Sequence, residues 1–354
     1  MKIAWLTNNI NQLGGIEQVI CGLSSYFSTE LENDVEIISI YSSTTNLFYK
    51  LDPSVLIRHC GVDWREHTYP KLWRLVRETM ADLDADILIT CHHTVSYAAI
   101  LNKRVFKGKL VVTQHSACDF FTRKRLYANA AMFRFADELV VLTESDRQIF
   151  RKLGCQSSVI PNANFRPVLT RSSLEEKLLL AVGRLETVKG FDRLIEAFSI
   201  VAHKYPQWKL CICGGGTQEQ ILREQVKNAG IMDQVLLPGA VANIQDYYSK
   251  AALFALTSRS EGFSLVLLEA MSYGIPVVSF ELPAAREILG DNGGIFVQQG
   301  DVALLAEKLD MFMSDIDLRR QYGEKAYAAS KKYMISKIAE RWMQLFYKLS
   351  TDKR

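Results

Sequence analysis

Short β-like runs alternate with helical stretches along the first half of this 354-residue chain, and the same alternation then begins again. Residues 3–6, 35–40, 87–90, 110–113 and 139–142 have the apolar character of buried strands, and 17–28, 72–83, 96–102, 126–135 and 144–152 read as helices. The second series places strands at 178–182, 209–212, 235–237, 253–256 and 277–279, with helices near 191–204, 217–229, 244–250 and 264–273. Alternation of this kind builds mostly parallel sheets from βα units. The chain is too long for one ordinary core. Two doubly wound, Rossmann-like α/β domains are therefore expected, with their strand C-termini around a shared cleft where ligands bind. The boundary falls in Ile160-Pro161-Asn162-Ala163-Asn164-Phe165-Arg166-Pro167 and the polar tract that runs on to Lys177, where prolines and asparagines interrupt any periodicity. This gives a first domain at 1–165 and a second at 166–334. Further helices are expected at 303–312 and 335–349.

Composition narrows the classes. Hydrophobic residues at 48% and charged residues at 23% describe a folded globular protein. A net charge of +3 is too small for a general nucleic-acid binder, so no nucleic-acid partner is expected. Seven scattered cysteines suggest no disulfide framework, and Cys211-Ile212-Cys213 has the period of a strand core rather than of a metal or redox site. No run approaches the ~18 apolar residues of a membrane span. Met1-Lys2-Ile3-Ala4-Trp5-Leu6 reads as a first strand and not as a leader, which points to a cytoplasmic protein.

Chemistry is sought in the loops that follow the strands. Glu261-Gly262-Phe263-Ser264 precedes an apolar helix with Ser264 placed as its N-cap, Glu269 inside it, and Gly274 and Pro276 at its end. A helix mouth suits a phosphate, and two ionised carboxylates suit sugar hydroxyls. The same residues would also serve an ordinary buried helix with two acids. Arg184 and Lys189 lie on one strand-to-helix loop, Gly183 to Gly190, and their charges can neutralise a diphosphate. Gly214-Gly215-Gly216 follows another strand and suits a close backbone approach or a simple turn. The first strand ends in a loop carrying Gly14-Gly15, which is no dinucleotide fingerprint. His115 stands at the end of a strand, with His92-His93 as rivals, while His59, His67 and His203 complete the set of histidines.

Together these pieces resemble the GT-B glycosyltransferases of family 4, which are retaining and depend on nucleotide sugars. The likeness rests on Gly183-Arg184 with Lys189-Gly190, on the E-x7-E unit from Glu261 to Glu269, and on Gly14-Gly15, His115 and Pro161-Asn162. It implies that Arg184 and Lys189 hold the donor diphosphate, that Glu269 binds ribose hydroxyls and Glu261 the sugar's hydroxyls. Backbone near Gly262, Phe263, Ser264 and Leu265 would touch sugar or phosphate, with Gly214 also on the donor. From the first, acceptor-side domain, Gly15 would lie under the phosphate and His115 would contact the transferring sugar, so that His115, Glu261, Arg184 and Lys189 form the catalytic set. The segment 335–354 would pack back on the first domain. Three departures stand out: Gly214-Gly215-Gly216-Thr217 for the usual Gly-x-Gly-Pro, Ala284 for a Gly after Pro283, and Ala163 for a Gly after Asn162.

The expected reaction moves a hexose or N-acetylhexosamine, with UDP as the expected carrier, to a hydroxyl of a growing, lipid-linked surface glycan. No D-x-D motif sits at a strand end, so neither a metal nor another cofactor is expected. A sugar-nucleotide epimerase and a non-catalytic sugar-nucleotide binder are the alternatives. Residues 103–134 carry eight cations, among them Arg123, Lys124 and Arg125, with interleaved aromatics and one acid, Asp119. That segment suits an anionic membrane surface or a lipid-diphosphate acceptor, or else a solvated helix face over core aromatics.

Overall fold

The computed structural model describes residues 1–351 except 43–45, 64, 66, 67, 167, 169 and 292. His67, Pro167 of the boundary segment and the last three residues of 335–354 lie outside the described residues. The chain divides into two compact units, Met1–Phe165 with the residues from Met334 onward, and Arg166–Tyr333.

In the first unit the strands are β1 (Lys2–Thr7), β2 (Asp34–Ser39), β3 (Leu56–His59), β4 (Ile87–Thr90), β5 (Lys109–Gln114), β6 (Glu138–Val141) and β7 (Ser158–Val159). The helices are α1 (Gly15–Thr29), α2 (Tyr69–Ala81), α3 (His93–Leu101), α4 (Arg123–Phe133) and α5 (Glu144–Lys152). In the second unit β8 (Leu178–Val182), β9 (Lys209–Cys213), β10 (Val235–Gly239), β11 (Leu253–Leu256), β12 (Val277–Phe280) and β13 (Ile295–Val297) form the sheet. Around it lie α6 (Phe191–Ala202), α7 (Glu219–Asn228), α8 (Ile244–Lys250), α9 (Leu265–Ser272), α10 (Pro283–Leu289), α11 (Val302–Ser314) and α12 (Ile316–Ser330). The final helix, α13 (Ile335–Thr351), belongs to the first unit. There Trp342 meets Trp5 edge-on at 6.2 Å, and Phe346 meets Phe27 at 5.9 Å.

The sheets run β3-β2-β1-β4-β5-β6-β7 and β10-β9-β8-β11-β12-β13, with every pairing parallel. Each sheet reverses its direction of growth once, between β1 and β4 and between β8 and β11. The crevice at such a reversal, outside the strand C-termini, is where doubly wound sheets bind ligands. Helices cover both faces of the second sheet. Leu179, Ala181, Leu210 and Ile212 face one core, and Leu180, Cys211, Cys213 and Phe254 face the other. Cys211 and Cys213 are thus strand-core residues, with their sulfurs 3.6 Å apart, and all seven thiols are free.

The strands not anticipated from sequence, β3, β7 and β13, all lie at sheet edges. Edge strands are short and covered on fewer sides, so they carry little apolar signal; Leu56 in β3 is 69% exposed. Two helices also differ from expectation. The segment around Pro283 and Ala284, for which no helix was read, forms α10, because Pro283 at its first turn has the φ that a helix start requires. Helix α12 buries Arg319, Gly323, Ala326 and Ser330, a stripe at helical spacing with almost no hydrophobic character, so periodicity does not reveal it.

Arg319 is fully buried. It donates to Phe312 O at 2.6 Å and Leu174 O at 3.3 Å, and its guanidinium lies 5.2 Å from the Trp208 ring centroid. A cation at the end of α11 satisfies carbonyls that the helix leaves open and complements its dipole. Arg319→Leu should destabilise the second unit by about 2–4 kcal/mol, the loss of charged hydrogen bonds to buried acceptors. Urea unfolding checks this; an unchanged midpoint would rule out the role.

Candidate active site

The two loops leaving the reversal point of the second sheet follow β8 and β11, and they are fastened together. Arg259 N donates to Val188 O at 2.7 Å, and Thr257 Oγ1 donates to Lys189 O at 3.2 Å. The Arg259 guanidinium forks onto Asp192, with Nη1–Oδ1 at 3.0 Å and Nη2–Oδ2 at 2.6 Å. Gly190 sits at φ +65°, and an added Cβ would overlap the Thr257 carbonyl oxygen, so only glycine permits this approach.

This seam delivers Lys189 to Glu261. Lys189 Nζ lies 2.6 Å from Glu261 Oε1, which also accepts from Ser258 Oγ at 2.7 Å. The Glu261 side chain is only 9% exposed. A carboxylate withdrawn from water to this degree needs an opposite charge and hydrogen bonds. Lysine carries three donors, so pairing with Glu261 does not exhaust it.

Ser264 occupies the N-cap position of α9 with extended backbone, but its hydroxyl makes no capping bond. The expected side-chain cap is therefore absent. Ser264 Oγ is buried with no hydrogen-bond partner among the described residues. The mouth of α9 thus has first-turn N–H groups that this side chain leaves unsatisfied, and a hydroxyl in search of a partner. Glu269 follows one turn on, 5% exposed, with Arg166 Nε 2.7 Å from its Oε1. Glu261, Gly262, Phe263 and Leu265 are part-buried around this mouth, and Phe263 meets Tyr333 edge-on at 5.8 Å.

Arg184 leaves the β8 loop exposed, and its guanidinium forms no ion pair among the described residues. Gly214 has a reason of its own for being glycine. At φ +147° an added Cβ would overlap the Gly183 carbonyl oxygen, so packing between loops already requires it.

In the first unit, a second set gathers where β1, β4 and β5 end. Gly15 opens α1, and the buried Glu17 in its first turn places Oε1 3.7 Å from His92 Nε2. Thr113 Oγ1 donates to Thr90 O at 2.9 Å and lies 2.9 Å from His115 Nε2. Its proton is thereby committed, which assigns the Nε2–H tautomer to His115. Burial, then the neighbouring His92 and His93, pushes the His115 pKa down to about 3. His93 meets Phe121 at 5.0 Å and Phe133 at 6.0 Å, and burial followed by the Arg125 charge lowers it to about 4. These imidazoles are neutral near pH 7 and offer hydrogen bonds, not charge. Arg123, Lys124 and Arg125 form the exposed first turn of α4, three residues earlier than the helix start read from sequence. Among the described residues no group of three His, Cys, Asp or Glu side chains is arranged to hold a metal ion. No helix among them is long and apolar enough to cross a membrane.

Sequence reasoning missed Arg166, Asp192, Ser258, Arg259 and Glu17. Glu17, two residues past Gly15, was visible as an acid at a helix start. Ser258 lies three residues before Glu261, its partner, while Arg166, Asp192 and Arg259 owe their place to contacts across long sequence separations and left no local signal.

Two family models match, "Glycosyltransferase Family 4" over residues 13–163 and "Glycosyl transferases group 1" over residues 168–329. A glycosyltransferase of Haemophilus influenzae is 28% identical, covering 96% of this chain and 98% of that protein. The amylovoran biosynthesis glycosyltransferase of Erwinia amylovora is 27% identical over the same shares. Among solved structures, a sucrose-phosphate synthase of Thermosynechococcus elongatus superposes with a TM-score of 0.84 at 18% identity, covering 99% of each chain. HepE of Anabaena, in complex with UDP-glucose, gives 0.79 at 18% identity, covering 98% of this chain and 100% of its own. The fold and these matches define a transferase enzyme acting on glycosyl groups. The chain belongs to the GT-B glycosyltransferases of family 4.

His93 and His115 make stability depend on pH. Both have a folded pKa below the ordinary 6.5. Between those values the unfolded chain binds protons that the native chain refuses, so stability falls as pH drops from 6.5 toward 4. A melting series over this range should show the decline, and His93→Asn and His115→Asn should each flatten it. Slopes identical to that of the parent protein would contradict the assignment.

Proposed function

We propose that the chain transfers a hexose or N-acetylhexosamine from a nucleoside diphosphate sugar, UDP first among carriers, to a hydroxyl of a growing lipid-linked glycan. The observation that carries this reading is the mouth of α9. An uncapped helix start and an orphan buried hydroxyl at Ser264 follow closely on Glu261, which is paired with Lys189 at the reversal point of a parallel sheet. Helix N–H groups and Lys189, with Arg184 free to move in from solvent, suit a diphosphate; Glu261 and Glu269 suit the donor's sugar and ribose hydroxyls. The names of relatives support the acceptor class. One, 26% identical over 98% of both chains, is the GalNAc-alpha-(1->4)-GalNAc-alpha-(1->3)-diNAcBac-PP-undecaprenol alpha-1,4-N-acetyl-D-galactosaminyltransferase of Campylobacter jejuni.

In this reading the configuration at the sugar carbon is retained. The acceptor oxygen attacks from the face the diphosphate leaves, the C1–O–phosphate bond breaks as the new C1–O bond forms, and the acceptor proton passes to the departing diphosphate. Arg184, Lys189 and the α9 dipole stabilise the charge that develops there, with no metal required. Of the first unit's residues, this reading assigns the neutral His115 a hydrogen bond to the transferring sugar and Gly15 a place under the phosphate. Arg184→Ala and Lys189→Ala should each cost about 2–4 kcal/mol of transition-state stabilisation. Release of nucleoside diphosphate, measured across a donor panel with lipid-linked acceptors, tests both variants. Near-normal turnover would overturn the reading, release from the donor without acceptor would favour a sugar-nucleotide epimerase, and binding without turnover a non-catalytic binder.

The acceptor side extends to α4. Arg123, Lys124 and Arg125 crowd the positive end of its dipole, an arrangement that costs helix stability unless an anion answers it. Phe120 and Tyr127, 65% and 63% exposed, flank them. Cations with exposed aromatics fit the anionic inner face of a membrane, on which the protein would be peripheral. Flotation with vesicles of anionic lipid should carry the protein, and a triple Arg123→Ser, Lys124→Ser, Arg125→Ser variant should stay behind. Equal flotation of both would exclude this surface.

A further inference from the structure

Glu269 stands on α9 between residues that are wholly buried: Leu267, Leu268, Ala270 and Met271 are all 0% exposed. Its own side chain is 5% exposed. An ionised carboxylate in such surroundings keeps its charge only if a cation answers it. The cation is Arg166, the first residue of the second unit, 103 residues away in sequence. Its side chain is 26% exposed, and Nε lies 2.7 Å from Glu269 Oε1. A fully buried phenol, Tyr248, adds to the set: burial, and then the charge of Glu269, push its pKa well up, so it is a hydroxyl donor at any working pH.

One feature separates this pair from a chance surface bridge. The carboxylate is the more buried partner, so Arg166 reaches inward to it. The Arg166 Nε–H lies on one carboxylate oxygen, and the Tyr248 hydroxyl lies against the same carboxylate. An ionised carboxylate has about four acceptor sites, and partners from two different elements restrict its orientation. A carboxylate of restricted orientation is what a pair of vicinal hydroxyls requires.

We propose that Arg166 is a positioning residue that orients Glu269 toward the ribose hydroxyls of the donor nucleotide. The inference rests on the reading of the second unit as the nucleotide-sugar site. It adds a residue that touches no part of the nucleotide yet sets discrimination for its ribose. A purely structural strut between the start of the unit and α9 would lower stability and leave that discrimination alone.

The test uses the full chain as parent protein, Arg166→Met and Arg166→Lys. Calorimetric titration is run with uridine and guanosine diphosphates and with their 2′,3′-dideoxy analogues, and melting curves confirm that each variant is folded. The parent should bind the ribonucleotide at least about tenfold tighter than its dideoxy analogue, because a site built for hydroxyls rejects a ligand without them. Arg166→Met should weaken ribonucleotide binding by about that factor, leave the dideoxy analogue within about threefold, and bring the ratio close to one. Arg166→Lys should restore part of it. A folded Arg166→Met variant that keeps the parental ratio overturns the inference alone. A parent that binds a nucleotide without regard to its ribose overturns the inference and the role of Glu269. A parent that binds neither nucleotide overturns the donor reading itself, and the inference with it.

Discussion

A carboxylate removed from water must be answered by a positive charge, and that requirement organises the second unit. Glu261 is answered by Lys189 and Glu269 by Arg166, each at a distance of 2.6–2.7 Å. Neither partner is local in sequence. Lys189 reaches Glu261 only because the loops after β8 and β11 are held together by the Arg259–Asp192 fork and by a glycine beneath a carbonyl. The acids are therefore held in place by the chain's own cations. The first unit solves the opposite problem. Two of its polar groups at the strand ends, His93 and His115, are imidazoles that burial keeps neutral, so they can be gathered closely without a counter-charge for each.

Much of this was legible in the sequence because parallel-sheet strands announce themselves. The interior strands β1, β4, β5, β8, β9, β11 and β12 are almost continuous apolar runs, buried on both faces. The edge strands escaped notice for the complementary reason. Helix α12 escaped because its buried stripe is Arg319, Gly323, Ala326 and Ser330, which binary patterning reads as surface. Lys189, Glu261 and Glu269 could be named as candidates because loops at strand ends, and the helices they open, have a fixed place in such folds. What could not be read was how each acid is compensated. Arg166 lies in a tract that looks like a linker, and its partner is more than a hundred residues distant. Ser264 shows the limit from the other side: its position predicts a cap, but its hydroxyl makes no capping bond, and no sequence rule distinguishes the two.

The glycines divide in the same manner. Gly190 and Gly214 are both demanded by loop-to-loop packing, since each would drive a Cβ into a carbonyl oxygen. A glycine-rich loop at a strand end is commonly taken as room left for a ligand. Here part of that room is already filled by the neighbouring loop, so the glycines shape the site indirectly, by letting two backbones touch.

Helix α13 carries a consequence for how the molecule comes into being. Trp342 and Phe346 fill out the core around Trp5 and Phe27, so residues that follow the second unit in the chain complete the unit that precedes it. At the ribosome, where chains emerge at ~5–20 residues per second, the amino-terminal sheet has to wait, with an apolar surface open, while the whole of the second unit is translated. The carboxyl-terminal unit is continuous and can close on itself as it appears. The second unit can therefore be complete before the first has all its parts.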